Sequence, residues 1–261
     1  MQLSDQISAI ISGGASGLGE ASARALAAKG VRVAIFDINE QKGEAVAHDI
    51  GGKFFKVDVT DEANIEQALA EARELHGQER ILVNCAGIVF GMKTASRNRD
   101  SGEVRSHSIA DFSRIIAVNL VGAFSLAAKS AAGMMQAEPI TDDGGRGVII
   151  HTSSVAADEG QIGQAAYAAS KGGIKSLALP MARDLSREGI RVNAILPGLF
   201  ETPMFDVLPE EVRISLGKSV PFPQRLGRAD EYAALALHIC ENEMLNGASI
   251  RLDGAVRLAP R

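Results

Sequence analysis

Short apolar runs rich in β-branched residues alternate along the chain with longer, alanine-rich amphipathic segments. Because the runs are apolar almost throughout, they predict strands buried on both faces, as in a parallel sheet covered by helices. The pattern therefore predicts an α/β fold, a single doubly wound domain over residues 1–261 with about seven parallel strands. The predicted strands are residues 7–12, 31–36, 53–57, 81–84, 147–152, 190–196 and 248–252.

Two irregular stretches interrupt this pattern, and each follows the carboxyl end of a predicted strand. Residues 91–107 are mostly polar, and residues 197–223 carry five of the eight prolines. Ligands of open α/β sheets bind outside the carboxyl ends of the strands. We therefore expect both stretches to be substrate loops within the domain, with a solvated loop as the alternative for the first.

Composition and charge narrow the classes of partner. The chain is 46% hydrophobic and 23% charged, and its net charge of −5 is spread along the sequence. This balance predicts neither nucleic acid nor an anionic membrane as a partner. The uninterrupted apolar runs are far shorter than the roughly 18 residues that indicate a membrane-spanning helix. The first six residues lack the basic and apolar regions of a secretory signal.

The two cysteines, Cys85 and Cys240, lie in apolar surroundings and do not have the spacing of metal ligands. We expect buried, reduced thiols and no metal site, which is typical of intracellular proteins. The sequence thus predicts a cytoplasmic location, and a mitochondrial one stays open if the source is eukaryotic.

A glycine-rich turn joins the first strand to the first helix, with Gly13, Gly17 and Gly19 around Ser16 and Leu18. Such a turn lets backbone N–H groups approach a pyrophosphate at the helix N-terminus. A structural turn is the alternative.

The second strand ends in Asp37, eighteen residues after Gly19, where a carboxylate can accept hydrogen bonds from an adenosine ribose. A negative charge there repels a 2′-phosphate, and residues 12–19 carry no Arg or Lys. The predicted cofactor is therefore NAD rather than NADP.

The ends of the third and fourth strands extend the predicted cofactor site. Asp58, with Val59 beside it, is predicted to reach the adenine amino group; capping the following helix is the alternative. The segment 85–87 is slim and allows close cofactor approach at three predicted contacts: Cys85, Ala86 and Gly87.

Tyr167 stands among alanines, serines and glycines in "AYAASKGG", with Lys171 four residues later. At that spacing both side chains point to the same face of a helix. A nearby ammonium favours the phenolate and lowers a tyrosine pKa from its usual value of about 10. The pair is thus a candidate general base, and a packed tyrosine beside a solvated lysine is the alternative.

Six motifs in order resemble the short-chain dehydrogenase/reductase family over essentially the whole chain. They are the glycine-rich turn, "NCAG", "VNLVG", "SSV", "YAASK" and "PGLFETP". One departure is Ser12, where the family usually has threonine. The resemblance implies a Rossmann fold and oxidation of a secondary alcohol.

The resemblance also implies a role for each matching residue. Tyr167 is the general base, and Lys171 binds the nicotinamide ribose. Ser154 orients the substrate oxygen, while Ser153 points to the other face of the strand, and His151 is interpreted as structural. Asn119 supports a water chain from Lys171, with helix bending as the alternative. The loop after the sixth strand supplies further cofactor contacts: Pro197, Gly198 and Thr202.

Within that family, "EGQIGQAAY", "PFPQRLG" and "LNGASIRLDGAVR" are similar to a branch that uses NAD on short-chain 3-hydroxyacyl-CoA. In that branch the substrate is expected to contact Ser154, Tyr167, Gln161 and Gln164. Four basic residues of the first loop are candidates for CoA phosphates or for ordinary solvated charge: Lys93, Arg97, Arg99 and Arg105.

The resemblance further implies a homotetramer packed partly through the helix of Tyr167, in which Pro180 is expected to kink or end the helix. A dehydrogenase of hydroxysteroids or other secondary alcohols is the alternative substrate class. A non-enzymatic NAD-binding scaffold is the alternative function.

Overall fold

The backbone alternates strands and helices much as the hydrophobic pattern predicts. A computed structural model describes residues 1–203 and 209–260. Within them the strands are β1 (Ser8–Ser12), β2 (Arg32–Asp37), β3 (Lys53–Lys56), β4 (Ile81–Asn84), β5 (Ala95–Arg97), β6 (Val104–Ser106), β7 (Gly147–Thr152), β8 (Ile190–Pro197) and β9 (Ser249–Leu252).

Seven of these strands form one sheet in the order β3-β2-β1-β4-β7-β8-β9. Each neighbouring pair is parallel. The predicted fold class is thereby confirmed, a doubly wound α/β fold with about seven parallel strands.

Helices follow most strands and cover the sheet. They are α1 (Gly17–Ala27), α2 (Glu40–Ile50), α3 (Glu62–His76), α4 (Ile109–Ile116), α5 (Ala123–Met135), α6 (Ala156–Glu159), α7 (Ala165–Asp184), α8 (Glu210–Lys218) and α9 (Ala229–Glu241). A π-helical segment, Ala117–Gly122, joins α4 to α5. Side-chain caps define several starts, as where Asp61 accepts the backbone N–H of Asn64 at 3.1 Å.

Two apolar layers hold the helices to the sheet. Successive strand residues point to opposite faces, so Ile149 and Ile150 of β7 enter different layers. One layer includes Ile150 with side chains of α1, α2 and α9. The other includes Ile149 with side chains of α3, α5 and α7. Burial on both faces is why these strands are apolar throughout.

Both predicted substrate loops contain regular structure that the hydrophobic pattern did not indicate. Residues 91–107 include an antiparallel hairpin of β5 and β6, whose strand residues are all exposed. An exposed hairpin needs no apolar alternation, so its sequence is merely polar. Residues 197–223 include α8, which begins after Pro209; residues 204–208 of this loop lie outside the described residues.

Pro180 does not end its helix, contrary to one of the two outcomes expected. Helix α7 continues through Pro180 to Asp184. Both Pro180 and Ser176, four residues earlier, are exposed. The carbonyl that loses its intrahelical partner at a proline thus belongs to an exposed residue here.

The helical run Ile109–Met135 is long and apolar enough to cross a membrane by length and composition alone, and 44% of its apolar window is buried. Polar residues such as Arg114 and Lys129 interrupt it, so it contains no long unbroken apolar run. Leu126, Ala127 and Met134 are fully buried in the layer of α3, α5 and α7. The run is thus built into the fold as a covering helix.

Candidate active site

The predicted site residues gather at one edge of the sheet, where the parallel strands end. Asp37 is the last residue of β2, Asn84 of β4, Thr152 of β7 and Pro197 of β8. Strands β2 and β3 lie on one side of β1, and the later strands lie on the other. The edge between β1 and β4 is therefore a switch point, where open α/β sheets bind ligands.

The glycine-rich turn after β1 packs directly against the end of β4. Gly13 has a φ of +67°, and a Cβ on it would lie 2.6 Å from the backbone nitrogen of Ala86. A Cβ on Gly19 would lie 2.1 Å from the carbonyl oxygen of Gly13. Only glycine permits these approaches, and they leave the N-terminus of α1 open to an anionic group.

The first turn of α1 faces the loop that follows β8. Ser16 is the N-cap of α1, and its side chain makes no capping hydrogen bond. Gly17 has a φ of +56°, and a Cβ there would lie 3.5 Å from the Cβ of Thr202. Leu18 is partly buried against the core. At the base of that loop, Gly198 donates its N–H to the carbonyl oxygen of Leu252 at 2.9 Å.

The carboxylate of Asp37 is tied to the glycine-rich turn. Its Oδ2 accepts the N–H of Ala15 at 3.1 Å, and its Oδ1 accepts the N–H of Asn39 at 2.9 Å. These bonds fix a negative charge beside the turn, where a carboxylate can bind ribose hydroxyls. The glycine cradle and this carboxylate together fit a dinucleotide.

Asp58 is exposed and shapes the turn before α3. Its Oδ1 accepts the backbone N–H and the hydroxyl of Thr60, at 2.9 and 2.7 Å. Asp61, rather than Asp58, is the N-cap of α3. Val59 is buried, and a Cβ on Gly122 would lie 2.8 Å from its Cγ2. The end of β3 thus packs on the π-helical segment.

Tyr167 lies in the first turn of α7, one turn before Lys171. The Lys171 ammonium is 5.9 Å from the centre of the Tyr167 ring, and the Ser154 side chain hydrogen-bonds that of Tyr167, which lowers its pKa. Nζ of Lys171 donates to the carbonyl oxygen of Thr152 at 2.7 Å. Three of the predicted catalytic side chains therefore stand together.

Burial dominates the protonation of this group. It lowers the pKa of Lys171 to about 8, against the opposing effect of Cys85. Burial raises the pKa of Tyr167, and the hydrogen bond with Ser154 offsets part of the rise. The sequence predicted a lowered pKa for Tyr167. The shift is instead upward, because burial outweighs the hydrogen bond with Ser154.

Asn119 is buried in the π-helical segment, between the chain after β4 and α7. Its Oδ1 accepts the N–H of Ile88 at 2.7 Å, and its Nδ2 donates to the Ile88 carbonyl at 2.9 Å and to Oγ of Ser170 at 3.0 Å. A Cβ on Gly87 would lie 3.3 Å from Oδ1 of Asn119 and 3.5 Å from Nζ of Lys171. Asn119 therefore joins the group across Gly87.

Two neighbours of Ser154 serve the scaffold instead. Ser153 is buried and donates to the carbonyl oxygen of Lys171 in α7 at 2.7 Å. His151 is also buried, with Nδ1 3.3 Å from Nδ2 of Asn84. Burial and the Lys171 charge lower its pKa to about 4. A neutral imidazole held in the strand agrees with the structural interpretation.

A cavity of about 370 Å³, here called the entrance cavity, opens beside the start of α7. It is lined by residues 93–94, 160–165 and 168. Both Gln161 and Gln164 are in its wall. Gln164 Oε1 accepts the N–H of Gln161 at 3.1 Å, and Gln161 Nε2 donates to the carbonyl oxygen of Ala259 at 2.9 Å. The Gln161 amide is thus held by the C-terminal tail.

Of the four basic residues predicted near CoA phosphates, Lys93 lines the entrance cavity. The other three lie in the hairpin of β5 and β6. Arg97 donates to the carbonyl oxygen of Gly102 at 3.0 Å, and Arg105 makes two 2.9 Å bonds with Glu103. Arg99 is exposed in the turn between the strands. The structure does not bring all four together.

Two further residues beside the site were missed by the sequence reasoning. Thr152 presents its carbonyl to Lys171, and its Oγ1 lies 2.6 Å from the hydroxyl of Tyr232 in α9. Tyr232 is fully buried and is one of only two tyrosines in the chain. Tyr232 lies on the apolar face of α9, so its sequence position predicts a core residue. Its hydroxyl contact with Thr152 depends on tertiary packing. Tyrosine scarcity was the signal that could have identified it.

Comparison with a protein family described as short chain dehydrogenase gives a match over residues 8–213. The chain is 49% identical over 253 residues to 3-hydroxyacyl-CoA dehydrogenase type-2 of Drosophila melanogaster, covering 96% of this chain and 97% of that one. It is 49% identical over 255 residues to the Homo sapiens protein of the same name, covering 97% of this chain and 95% of that one.

A solved structure agrees with these sequence relatives. The crystal structure of 3-hydroxyacyl-CoA dehydrogenase type-2 from Mycobacterium avium matches with a TM-score of 0.91 and 40% identity, covering 100% of both chains. The likeness therefore includes the loops after the strands as well as the sheet.

Proposed function

The chain belongs to the short-chain dehydrogenase family, and on that premise we propose that it oxidises a short-chain 3-hydroxyacyl-CoA to the 3-ketoacyl-CoA with NAD. Dehydrogenases of this family act on CH–OH groups with a nicotinamide cofactor. The relatives just described are named for this acyl-CoA activity, and the chain matches them over nearly their whole length. The glycine cradle and the Asp37 carboxylate fit such a cofactor.

The observation that carries the proposal is the contact of Tyr167 with Ser154 beside the Lys171 ammonium. Ser154 and the Tyr167 hydroxyl converge where a substrate hydroxyl would hydrogen-bond to both. Tyr167 removes the hydroxyl proton as general base, and Lys171 favours the phenolate that does so. A bound nicotinamide would supply the acceptor for the hydride, which leaves the carbon that bears this hydroxyl. The products are a ketone, NADH and one proton.

Each supporting residue has a part in this reaction. Ser154 holds the substrate oxygen in line with Tyr167. Lys171 is kept in place by the Thr152 carbonyl. Asn119, on the other side of Gly87, supports a chain of water molecules that starts at Lys171. In the reverse direction Tyr167 returns the proton as a general acid.

Residues that follow or end five strands would hold the cofactor. Asp37 binds the adenosine ribose and disfavours a 2′-phosphate, which makes NAD the preferred cofactor. Asp58 and Val59 border the adenine. The backbone around the glycine-rich turn binds the pyrophosphate, and the nicotinamide half lies between two segments: Cys85, Ala86 and Gly87 on one side, Pro197, Gly198 and Thr202 on the other.

The acyl-CoA would enter along the entrance cavity. Gln164 and the backbone of Gln161 border the acyl chain, and Lys93 offers a positive charge at the rim. Acyl chains of this size, including 2-methyl-branched ones, arise in fatty-acid and branched-chain amino-acid degradation. We propose residues 1–261 as one domain, with both substrate loops belonging to it.

Exposed apolar side chains support a homotetramer as the working form. Val121 is 56% exposed, Phe124 46% and Leu179 46%, and all lie on the helical run 109–135 or on α7. Association through these helices would remove the exposed side chains from water. The two free thiols, Cys85 and Cys240, support an intracellular compartment, cytoplasmic or mitochondrial.

A substrate panel tests the function. NADH formation is measured with 3-hydroxybutyryl-CoA, its 2-methyl homologue, a hydroxysteroid and a simple secondary alcohol, each with NAD and with NADP. We expect kcat/KM with the CoA thioesters to exceed that with the free alcohols by at least about tenfold, because only the thioesters use the CoA handle. Folded, NAD-binding protein that leaves both CoA thioesters unreacted would refute the proposal; turnover of steroid alone would redirect it.

Asp37→Ser tests the cofactor separately. Without the carboxylate, the ratio of kcat/KM for NAD over NADP should fall by about tenfold or more, since repulsion of the 2′-phosphate is removed. An unchanged ratio would show that another feature sets the preference.

A further inference from the structure

The groups of Cys85, Thr152 and Tyr232 form a closed triangle next to the site, here called the hydroxyl–thiol ring. Oγ1 of Thr152 lies 2.6 Å from the Tyr232 hydroxyl and 3.3 Å from Sγ of Cys85. Sγ of Cys85 lies 3.7 Å from the Tyr232 hydroxyl. Three elements meet here: the segment after β4, the end of β7, and α9.

One assignment of hydrogens satisfies all three groups. Thr152 donates to Cys85, Cys85 donates to Tyr232, and Tyr232 donates to Thr152, so each donates once and accepts once. Burial raises the pKa of the Cys85 thiol and of the Tyr232 phenol, which keeps both groups protonated as this ring requires. A ring closed in this way is worth more than separate contacts, because each bond polarises the next.

The ring lies on the opposite face of the sheet from the helix that carries Tyr167. Thr152 points toward α9, while its neighbours Ser153 and His151 point toward α7 and α5. The Thr152 peptide is shared by both faces, because its carbonyl accepts the Lys171 ammonium at 2.7 Å. A shift of Thr152 toward or away from α9 therefore moves the acceptor of Lys171.

We propose that the hydroxyl–thiol ring positions Lys171, with Tyr232 as the residue that fixes Thr152 from the far face of the sheet. Tyr232 touches neither Tyr167 nor the place of the substrate, so it is a positioning residue. The inference rests on the proposed dehydrogenase chemistry, because it assigns Tyr232 to the Lys171–Tyr167 pair.

Loosening the ring should narrow the pH range of activity. If Lys171 loses its fixed position, the pKa of its ammonium falls, and the alkaline limb of the pH profile shifts to lower pH. The ammonium also favours the Tyr167 phenolate less, which moves the acid limb up. Four other groups near Lys171 are not substituted in the test, although Cys85 loses a hydrogen-bond partner in each hydroxyl-free variant: Cys85, His151, Asn119 and Tyr167.

Tyr232→Phe and Thr152→Val remove one hydroxyl each and keep the volume, and Thr152→Ser keeps the hydroxyl. The test is the pH profile of kcat/KM between about pH 6 and 10.5 with the best substrate of the panel. We expect the two hydroxyl-free variants to lose about fivefold in kcat with cofactor KM unchanged, and to show a narrower profile. Thr152→Ser should keep the wild-type profile.

Ser130→Ala is the matched control for lost stability. Ser130 is a fully buried hydroxyl that donates to Glu79 at 2.7 Å, and it lies on α5 away from Lys171. It should lower stability by a similar amount and leave the pH profile in place. If the pH profiles of Tyr232→Phe and Thr152→Val coincide with that of the wild type, the inference about the ring is overturned. Turnover by the wild type in the same experiment still upholds the proposed function.

Thiol reactivity gives a readout that needs no turnover. In a Cys240→Ala background Cys85 is the sole thiol, since the chain has two cysteines. Burial raises the pKa of Cys85, and its hydrogen bonds with Thr152 and Tyr232 offset part of that rise. Their loss should therefore slow modification at pH 8 by about two- to fivefold. An unchanged rate in both variants would mean that the ring is not formed in solution.

Discussion

The two sides of the site are held by different kinds of contact. On the catalytic side, Ser154, Tyr167 and Lys171 are held by contacts between β7 and α7, residues far apart in the sequence. On the substrate side, the hairpin arginines bind partners within five residues of themselves. Long-range buried contacts fix geometry, whereas local exposed pairs fix little.

The energies differ accordingly. Breaking a buried hydrogen bond leaves an unsatisfied group and costs about 1–3 kcal/mol, whereas an exposed ion pair contributes about 0–1 kcal/mol. The pair Arg105–Glu103 has side chains 75% and 53% exposed, while Lys171 is 5% exposed. Under the proposed function, the chemistry therefore depends on buried contacts that tolerate little change, and the substrate preference depends on exposed residues that tolerate much.

Tyr167→Phe tests the catalytic side with the largest expected effect. The substitution removes the proton acceptor and keeps the ring, so kcat/KM should fall by about 10³-fold or more. Cofactor affinity, measured by NADH fluorescence, should change less than about threefold. Substantial residual turnover with unchanged pH dependence would mean that another group removes the proton.

Gly19→Ala tests whether the cofactor turn is equally intolerant. The new Cβ would lie 2.1 Å from the Gly13 carbonyl oxygen, which is backbone and cannot move aside. We expect a loss of about 2–4 kcal/mol in unfolding free energy, measured by urea titration. Gly172→Ala is the control, since its Cβ would lie 3.8 Å from the carbonyl oxygen of Ala157. The unfolding free energy of this variant should rise by up to about 1 kcal/mol, because alanine favours a helix more than glycine does. Equal stability of both variants would contradict the packing argument.

His151→Asn tests the buried side through pH. The pKa of His151 falls from 6.5 when unfolded to about 4 in the fold. Between these values the unfolded chain binds a proton that the folded chain does not, so stability rises with pH from about 4 to 6.5. In the variant, the increase in unfolding free energy between pH 4 and 6.5 should be smaller by up to about 2–3 kcal/mol, measured by urea titration at several pH values.

His48→Asn is the control for that titration, because its side chain is 90% exposed. It should retain the wild-type slope between pH 4 and 6.5. A slope that is unchanged in His151→Asn would show that His151 charges readily within the fold.

Sequence alone predicted the sheet well, for a reason visible in the strands, and it predicted that Ser154, Tyr167 and Lys171 would lie together. The seven strands begin and end within one residue of their predicted bounds, because burial on both faces demands unbroken apolar runs. Ser154, Tyr167 and Lys171 were identifiable because one helix and one strand end carry them. The expected pKa of Tyr167 was wrong because spacing does not reveal burial.

The features that sequence did not reveal are those made by tertiary contact or by exposure. The hairpin of β5 and β6 is exposed, so hydrophobic alternation leaves no trace of it. Of the two outcomes expected at Pro180, an end of the helix was wrong, because α7 continues to Asp184. The partnership of Thr152 with Tyr232 spans 80 residues, and neither residue type announces it.

Lys93→Ala tests the substrate side with the smallest expected effect. Lys93 is exposed at the rim of the entrance cavity, and one solvated phosphate contact is worth about 0.5–1 kcal/mol. The KM for a CoA thioester should therefore rise about two- to fivefold at unchanged kcat, and more at low salt. Arg105→Ala, whose charge is already paired with Glu103, should change KM by less than about twofold. If Arg105→Ala instead has the larger effect, the hairpin must reorganise around substrate, and its local pairs are resting contacts that the CoA phosphates replace.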